Sequence, residues 1–99
     1  MKLHQKGFLL VELSKHKLIW DTPLINKAMQ EYGLSGRYWF NHFCVSLDEL
    51  AAAGLINRHE SDIDHKHFGS QRVMFQYTLS EYGRQRMIDT GLWPEENQQ

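Results

Sequence analysis

The sequence predicts a mainly α domain with one small β-hairpin (α+β), and two stretches carry that reading. The first is residues 47–58, L-D-E-L-A-A-A-G-L-I-N-R. Leu47, Leu50 and Ala51 recur at helical spacing and share one face. Gly54 stands where a left-handed residue ends a helix, and Leu55-Ile56 opens an extended run. In the second stretch Val73, Phe75, Tyr77 and Leu79 alternate with Met74, Gln76 and Thr78, the period of a half-buried strand. Ser80 then supplies a good N-cap for one further helix. Helix and strand follow each other so closely that the two must pack together.

Helix, Gly, strand, polar loop, strand and Ser-capped helix is the layout of a winged helix-turn-helix. The pair L-x-x-L-x-x-x-G-L-I-x-R and Y-x-L-[ST]-x-x-G-R resembles the bacterial winged helix-turn-helix regulators of the MarR and PadR type. The match is close over residues 47–58 and 77–84 and extends in layout over residues 34–87. The resemblance implies a transcription regulator that binds duplex DNA. Winged helices also serve as protein-binding modules, so an inhibitor or adaptor of bacterial or phage origin is the alternative. The segment between the strands lacks the basic run that many relatives carry.

Along the chain, residues 3–16 read as a helix with Leu9, Leu10 and Leu13 on one face and Phe8 and Val11 on the opposite side. A helix apolar on two sides is either central in its domain or shared with a partner. The second option makes Phe8 and Val11, together with Leu92 and Trp93 near the other end, candidates for a homodimer interface. Residues 17–20 form a short strand or bend. Asp21-Thr22-Pro23 then starts a helix, with Asp21 as the capping residue and Pro in the first turn. Leu24, Ile25, Ala28, Met29 and Tyr32 form its apolar face, and it is the first helix of the helix-turn-helix. Residues 33–36 are the turn, with Ser35 as a cap for the next helix.

That long helix runs from residue 36 or 37 to residue 53. Phe40, Phe43, Leu47, Leu50 and Ala51 cluster on it, flanked by Trp39 and Cys44. The N-terminal half of such a helix enters the major groove, which nominates Ser35, Arg37, Tyr38, Asn41, His42 and Val45 as DNA-contacting residues. Arg pairs with guanine, Asn with adenine, and an apolar group meets a thymine methyl. A solvated amphipathic face is the plain alternative. The wing strands are expected at residues 55–61 and 72–79, joined by a polar loop. Lys66, Gln71 and Arg72, with His65 and His67 when protonated, are placed to reach phosphates or a minor groove. Asp62 and Asp64 oppose that, and suit the wing equally to a protein partner. Residues 80–90 form the last helix, in which Tyr82, Met87 and Ile88 do not share a face. The domain is expected to span residues 1–94, with a disordered tail at 95–99.

Composition narrows the function. Ninety-nine residues with twelve aromatics suit one domain with an adequate core. No apolar run is long enough to span a bilayer and no leader segment is recognisable, so no membrane association is expected. A single cysteine allows no internal disulfide and fits a reducing compartment, so the cytoplasm is the expected location. The net charge of −1 counts against strong nonspecific DNA binding. It is distributed unevenly, with six Lys/Arg against three Asp/Glu in residues 1–47 and five against nine in residues 48–99. His59, Asp62, Asp64, His65 and His67 have metal-ligating side chains but no cysteine partner, and solvated histidines are the expectation. Cys44 reads as a buried small hydrophobe, and Tyr32, Tyr38, Trp39 and Phe43 read as core before they read as a ligand pocket. No nucleophile–base order, P-loop or carboxylate pair can be placed on a pocket, so neither an enzyme nor a cofactor is expected.

Overall fold

A computed structural model describes residues 3–94; the tail expected at 95–99 lies outside the described residues. The elements run α1 (Gln5–Ser14), β1 (Ile19–Trp20), α2 (Asp21–Tyr32), α3 (Arg37–Ala52), β2 (Ile56–His67), β3 (Ser70–Leu79) and α4 (Glu81–Asp89). The sheet is antiparallel in the order β1-β3-β2, with Ile19 opposite Tyr77 and Ile56 opposite Leu79. Leu9 and Leu13 of α1, Leu24, Ile25 and Ala28 of α2, and Phe43 and Leu47 of α3 bury their side chains together. Ile56, Tyr77 and Met87 close that core from the base of the sheet and α4.

The two halves of the sequence motif are bonded to each other. Gly54, at φ 78°, ends the helix, and the Leu55 amide donates back to the Leu50 carbonyl at 3.0 Å. Ser80 Oγ donates to the Gly54 carbonyl at 2.6 Å and accepts from the Gly83 amide at 2.8 Å, so one hydroxyl joins the α3–β2 turn to the N-terminus of α4. The Ser80 amide donates to the Leu55 carbonyl at 3.1 Å. Arg58 donates through Nε and Nη2 to the Tyr77 hydroxyl, at 3.1 and 2.9 Å, and also binds Asp48. The polar and glycine positions of the motif thus find their partners largely within the motif itself.

Three local expectations change. Asp21 is not the cap of α2 but its first residue, only 2% exposed, and Trp20 occupies the cap position. Ser35 does not cap α3: Gly36 does, at φ 95°, with no side-chain bond. The segment expected as a loop between residues 61 and 72 is strand instead. Ile63 pairs with Val73 and His67 with Ser70, leaving Phe68-Gly69 as a two-residue turn, with φ 47° and 79°. Positive φ at both positions matches the twist of a hairpin, although Asn or Asp is the usual first residue. The ladder is irregular between Arg58 and Ser61 and between Asp64 and His67.

Glu12 is the other buried acid, 3% exposed among Lys15, His16 and Lys27, with Lys15 Nζ donating to Oε1 at 3.0 Å. Burial works to raise its pKa, and Lys15 and Lys27 outweigh that and hold it below the ordinary glutamate value.

Gly83 is where sterics are least forgiving. A Cβ there would overlap the Leu55 carbonyl oxygen and lie 2.9 Å from its carbon, with Leu79 Cδ1 at 3.0 Å. The obstruction is backbone and cannot rotate away. Gly83→Ala is expected to cost about 1–3 kcal/mol or more of stability in urea unfolding. An unchanged midpoint would show that α4 does not approach the α3–β2 turn in this way.

Candidate nucleic-acid interface

The outward face of α3 divides into two parts. Its first half presents Tyr38 (73% exposed), Asn41 and Val45 (55% exposed), with no carboxylate among them. Its second half carries Asp48 and Glu49. Asp48 is paired with Arg58, and Glu49 lies 3.3 Å from Lys6 of α1. Glu49's repulsion of an approaching phosphate is thereby reduced, modestly because the pair is exposed. His42 turns aside: its Nε2 is 2.7 Å from Gln5 Oε1, and its ring meets Trp39 and Phe43 edge-on. It ties α3 to α1, while Ser35 is exposed just before the helix.

The hairpin folds so that its tip rests on the start of α3. Arg37 Nη2 donates to the Phe68 carbonyl at 3.1 Å, and its guanidinium lies 5.7 Å from the Phe68 ring centre. Phe40 meets His67 at 4.6 Å and Phe68 at 5.9 Å between ring centres. These contacts hold Phe68, 44% exposed, in a left-handed conformation unusual for an aromatic residue. Burial, reinforced by Arg72 and by Arg37 against the opposing charge of Asp64, pushes the His67 pKa below the ordinary imidazole value.

Arg72 requires a correction. The sequence reading gives its charge to phosphate, yet its side chain is 15% exposed and points inward. Nη1 and Nη2 donate to the two carboxylate oxygens of Asp21 at 2.9 and 2.8 Å, and Nη1 reaches Thr22 Oγ1 at 3.3 Å. Asp21 Oδ2 also accepts the Phe75 amide at 3.2 Å. The hydrogen bonds to Asp21, against the opposing effect of burial, raise the Arg72 pKa still further, and the group stays charged. Cys44 Sγ lies 3.6 Å from Nη2, and burial pushes its thiol pKa up despite that cation.

Arg58 stays at the surface but is engaged there, paired with Asp48 and stacked 4.3 Å from the Phe75 ring centre. Of the three Lys and Arg side chains between residues 56 and 79, Lys66 alone remains at the surface of the tip. Gln71 Nε2 lies 3.1 Å from His65 Nδ1 across the hairpin, and His59 Nε2 lies 2.7 Å from Thr78 Oγ1. Glu60, Asp62 and the apolar pair Ile63–Val73 are exposed on the hairpin stem. Among the described residues no helix is long and apolar enough to cross a membrane.

Neither family models nor curated proteins give a match. Among solved structures, a chain of the hsRosR-S1 complex superposes with a TM-score of 0.65 at 20% identity, over 91% of this chain and 69% of that one. The four helices and the three-stranded sheet follow the same plan. The fold is a winged helix. In that frame β2 and β3 are the wing, and α2 and α3 are the helix-turn-helix. Position in the winged helix, and not contact chemistry alone, groups Arg37, Tyr38, Asn41, Val45 and the wing tip on neighbouring surface. Sequence reasoning missed Lys6 and Phe68 and gave Asp21 only a capping role. An X-Gly pair between two possible strands was the one available sign of the turn.

Proposed function

We propose that this chain is a small transcription regulator of the MarR or PadR type that binds duplex DNA through α3. The observation that carries the proposal is the first half of that helix: Tyr38, Asn41 and Val45 stand outward, with Arg37 at the helix start and no acidic side chain before Asp48. Asn41 reads adenine by a bidentate pair, and Val45 and Tyr38 lie against base edges or sugar. The winged-helix fold supports this use of α3. His42 and Arg72 hold the structure and are not assigned to DNA; Ser35, Gln71 and Lys66 are assigned to its flanks.

Self-association belongs to the same proposal. Phe8, Val11, Leu92 and Trp93 are half-buried against the core: Phe8 is edge-on to Tyr32, and Leu92 packs over Gly7 beside exposed Leu3. The surface left open on α1 is the proposed homodimer contact. Sedimentation at micromolar concentration is expected to give a dimer that Phe8→Asp converts to monomer. A monomeric wild type would remove dimerisation from the account.

A protein-binding module is the second reading, favoured by the wing stem. Its arginines are paired with Asp48 and Asp21, while Glu60, Asp62, Ile63 and Val73 face solvent. Selection of duplexes from random sequence separates the two readings. For the DNA reading, Asn41→Ala should cost about 1–3 kcal/mol on the selected duplex and little on random DNA. Absence of any selected duplex at low salt would leave the protein-binding module as the better account.

A further inference from the structure

Between the wing tip and the first turns of α2 and α3 lies an open cleft of about 250 Å³, lined by Thr22, Asn26, Phe40, Lys66, His67 and Phe68. Its floor is aromatic, and its rim carries two exposed hydrogen-bond donors from elements far apart in sequence, the Asn26 amide and the Lys66 ammonium. The cleft is held open from within. Arg37 on the Phe68 carbonyl, and Phe40 against His67 and Phe68, fix the tip over α3. The bidentate Arg72–Asp21 pair fixes the start of α2 to β3. That pair also neutralises Asp21, the acid nearest the Thr22 wall, and Thr22 Oγ1 already accepts from Arg72. Asp64 opposes the Lys66 charge, although its Oδ1 is engaged by the Lys66 amide at 3.1 Å. The cleft meets α3 at Phe40, next in sequence to Asn41.

We propose that this cleft receives one phosphodiester group of the DNA backbone, gripped by Asn26 from α2 and Lys66 from the wing tip. The proposal rests on the DNA reading above and adds α2 to it. A phosphate oxygen accepts a charge-assisted bond from Lys66 and a neutral bond from Asn26, two donors that differ in how salt affects them. The tip, tied to α3 through Arg37 and Phe40, places the phosphate relative to Asn41 and Val45, so the grip sets the register of α3 without reading sequence.

The test uses the full chain and duplexes in which one phosphate at a time is replaced by a neutral methylphosphonate. Lys66→Gln is expected to weaken binding to selected and random duplex alike and to lower the salt dependence by about one ion. Asn26→Ala is expected to weaken both roughly fivefold while leaving the salt dependence unchanged. Both side chains are exposed, so melting temperatures should stay at the wild-type value. At one phosphate the methylphosphonate should weaken the wild type and leave Lys66→Gln with no further loss. If both variants bind like wild type while Asn41→Ala still loses discrimination, the cleft proposal is overturned and the DNA reading stands. A wild type that binds no duplex overturns both. Inorganic phosphate, titrated while the Asn26 side-chain amide is followed by NMR, should bind only weakly. Saturation at micromolar phosphate would mark a free-phosphate site and would also overturn the proposal.

Discussion

One largely buried ion pair, Asp21 with Arg72, ties the start of α2 to the wing strand β3. Two charges so far from water carry a desolvation cost of several kcal/mol each, and geometry must offset it. Here the carboxylate accepts two parallel bonds from the guanidinium and a third from the Phe75 amide. The guanidinium in turn lies 5.1 Å from the Phe40 ring centre and against Cys44. One pair therefore joins α2, α3 and β3. Replacing it by apolar residues of the same shape need not destabilise the domain, but removing one partner leaves a buried charge alone. The pair acts with the β1–β3 ladder and the Tyr77 anchor, and the contacts of Arg37 and Phe40 hold the tip further out.

That constraint redistributes the charge available for function. With Arg72 paired to buried Asp21 and Arg58 paired at the surface to Asp48, Lys66 at the tip is the wing's lysine or arginine without a carboxylate partner among the ion pairs described. A chain with a net charge near −1 has little long-range attraction for DNA. In the proposed DNA complex, recognition rests on the close fit of α3 and a small number of phosphate grips, with affinity expected only at modest salt. The wing stem, with Ile63 and Val73 exposed across from each other, is what gives the protein-binding alternative its substance.

Much of the fold was legible in the sequence where steric or periodic rules left a mark. The helices show apolar residues at helical spacing, and Phe40, Phe43, Leu47 and Leu50 are buried as that spacing requires. Gly54 and Ser80 were recognisable because each position admits few residues for a local reason, whereas Gly83 entered only as part of the motif, its constraint being the distant Leu55 carbonyl. The outer wing left no such mark. Ile56 is the one fully buried residue of β2, so the strand has no alternation to read, and its turn uses Phe-Gly where Asn-Gly would have announced it. Long-range pairing was also hidden. Asp21 has the type and position of a cap, and Arg72 the type and position of a phosphate contact, yet they satisfy each other across fifty-one residues. His42 has the pattern of a base reader and bonds Gln5 instead. The chemistry of a side chain is visible in one dimension, but its partner is not.

The measurement that bears most directly on the role of this ion pair is a double-mutant cycle on Asp21→Ala and Arg72→Ala, followed by urea unfolding, with duplex affinity measured on the fully folded fraction. Arg72→Ala alone should lower stability by about 3–5 kcal/mol, because it strands a buried carboxylate. The double variant should recover part of that loss, with a coupling of about 2 kcal/mol between the sites. An Arg72→Ala protein with the wild-type unfolding midpoint and no coupling, but with weakened duplex binding, would place Arg72 on the DNA and contradict the account.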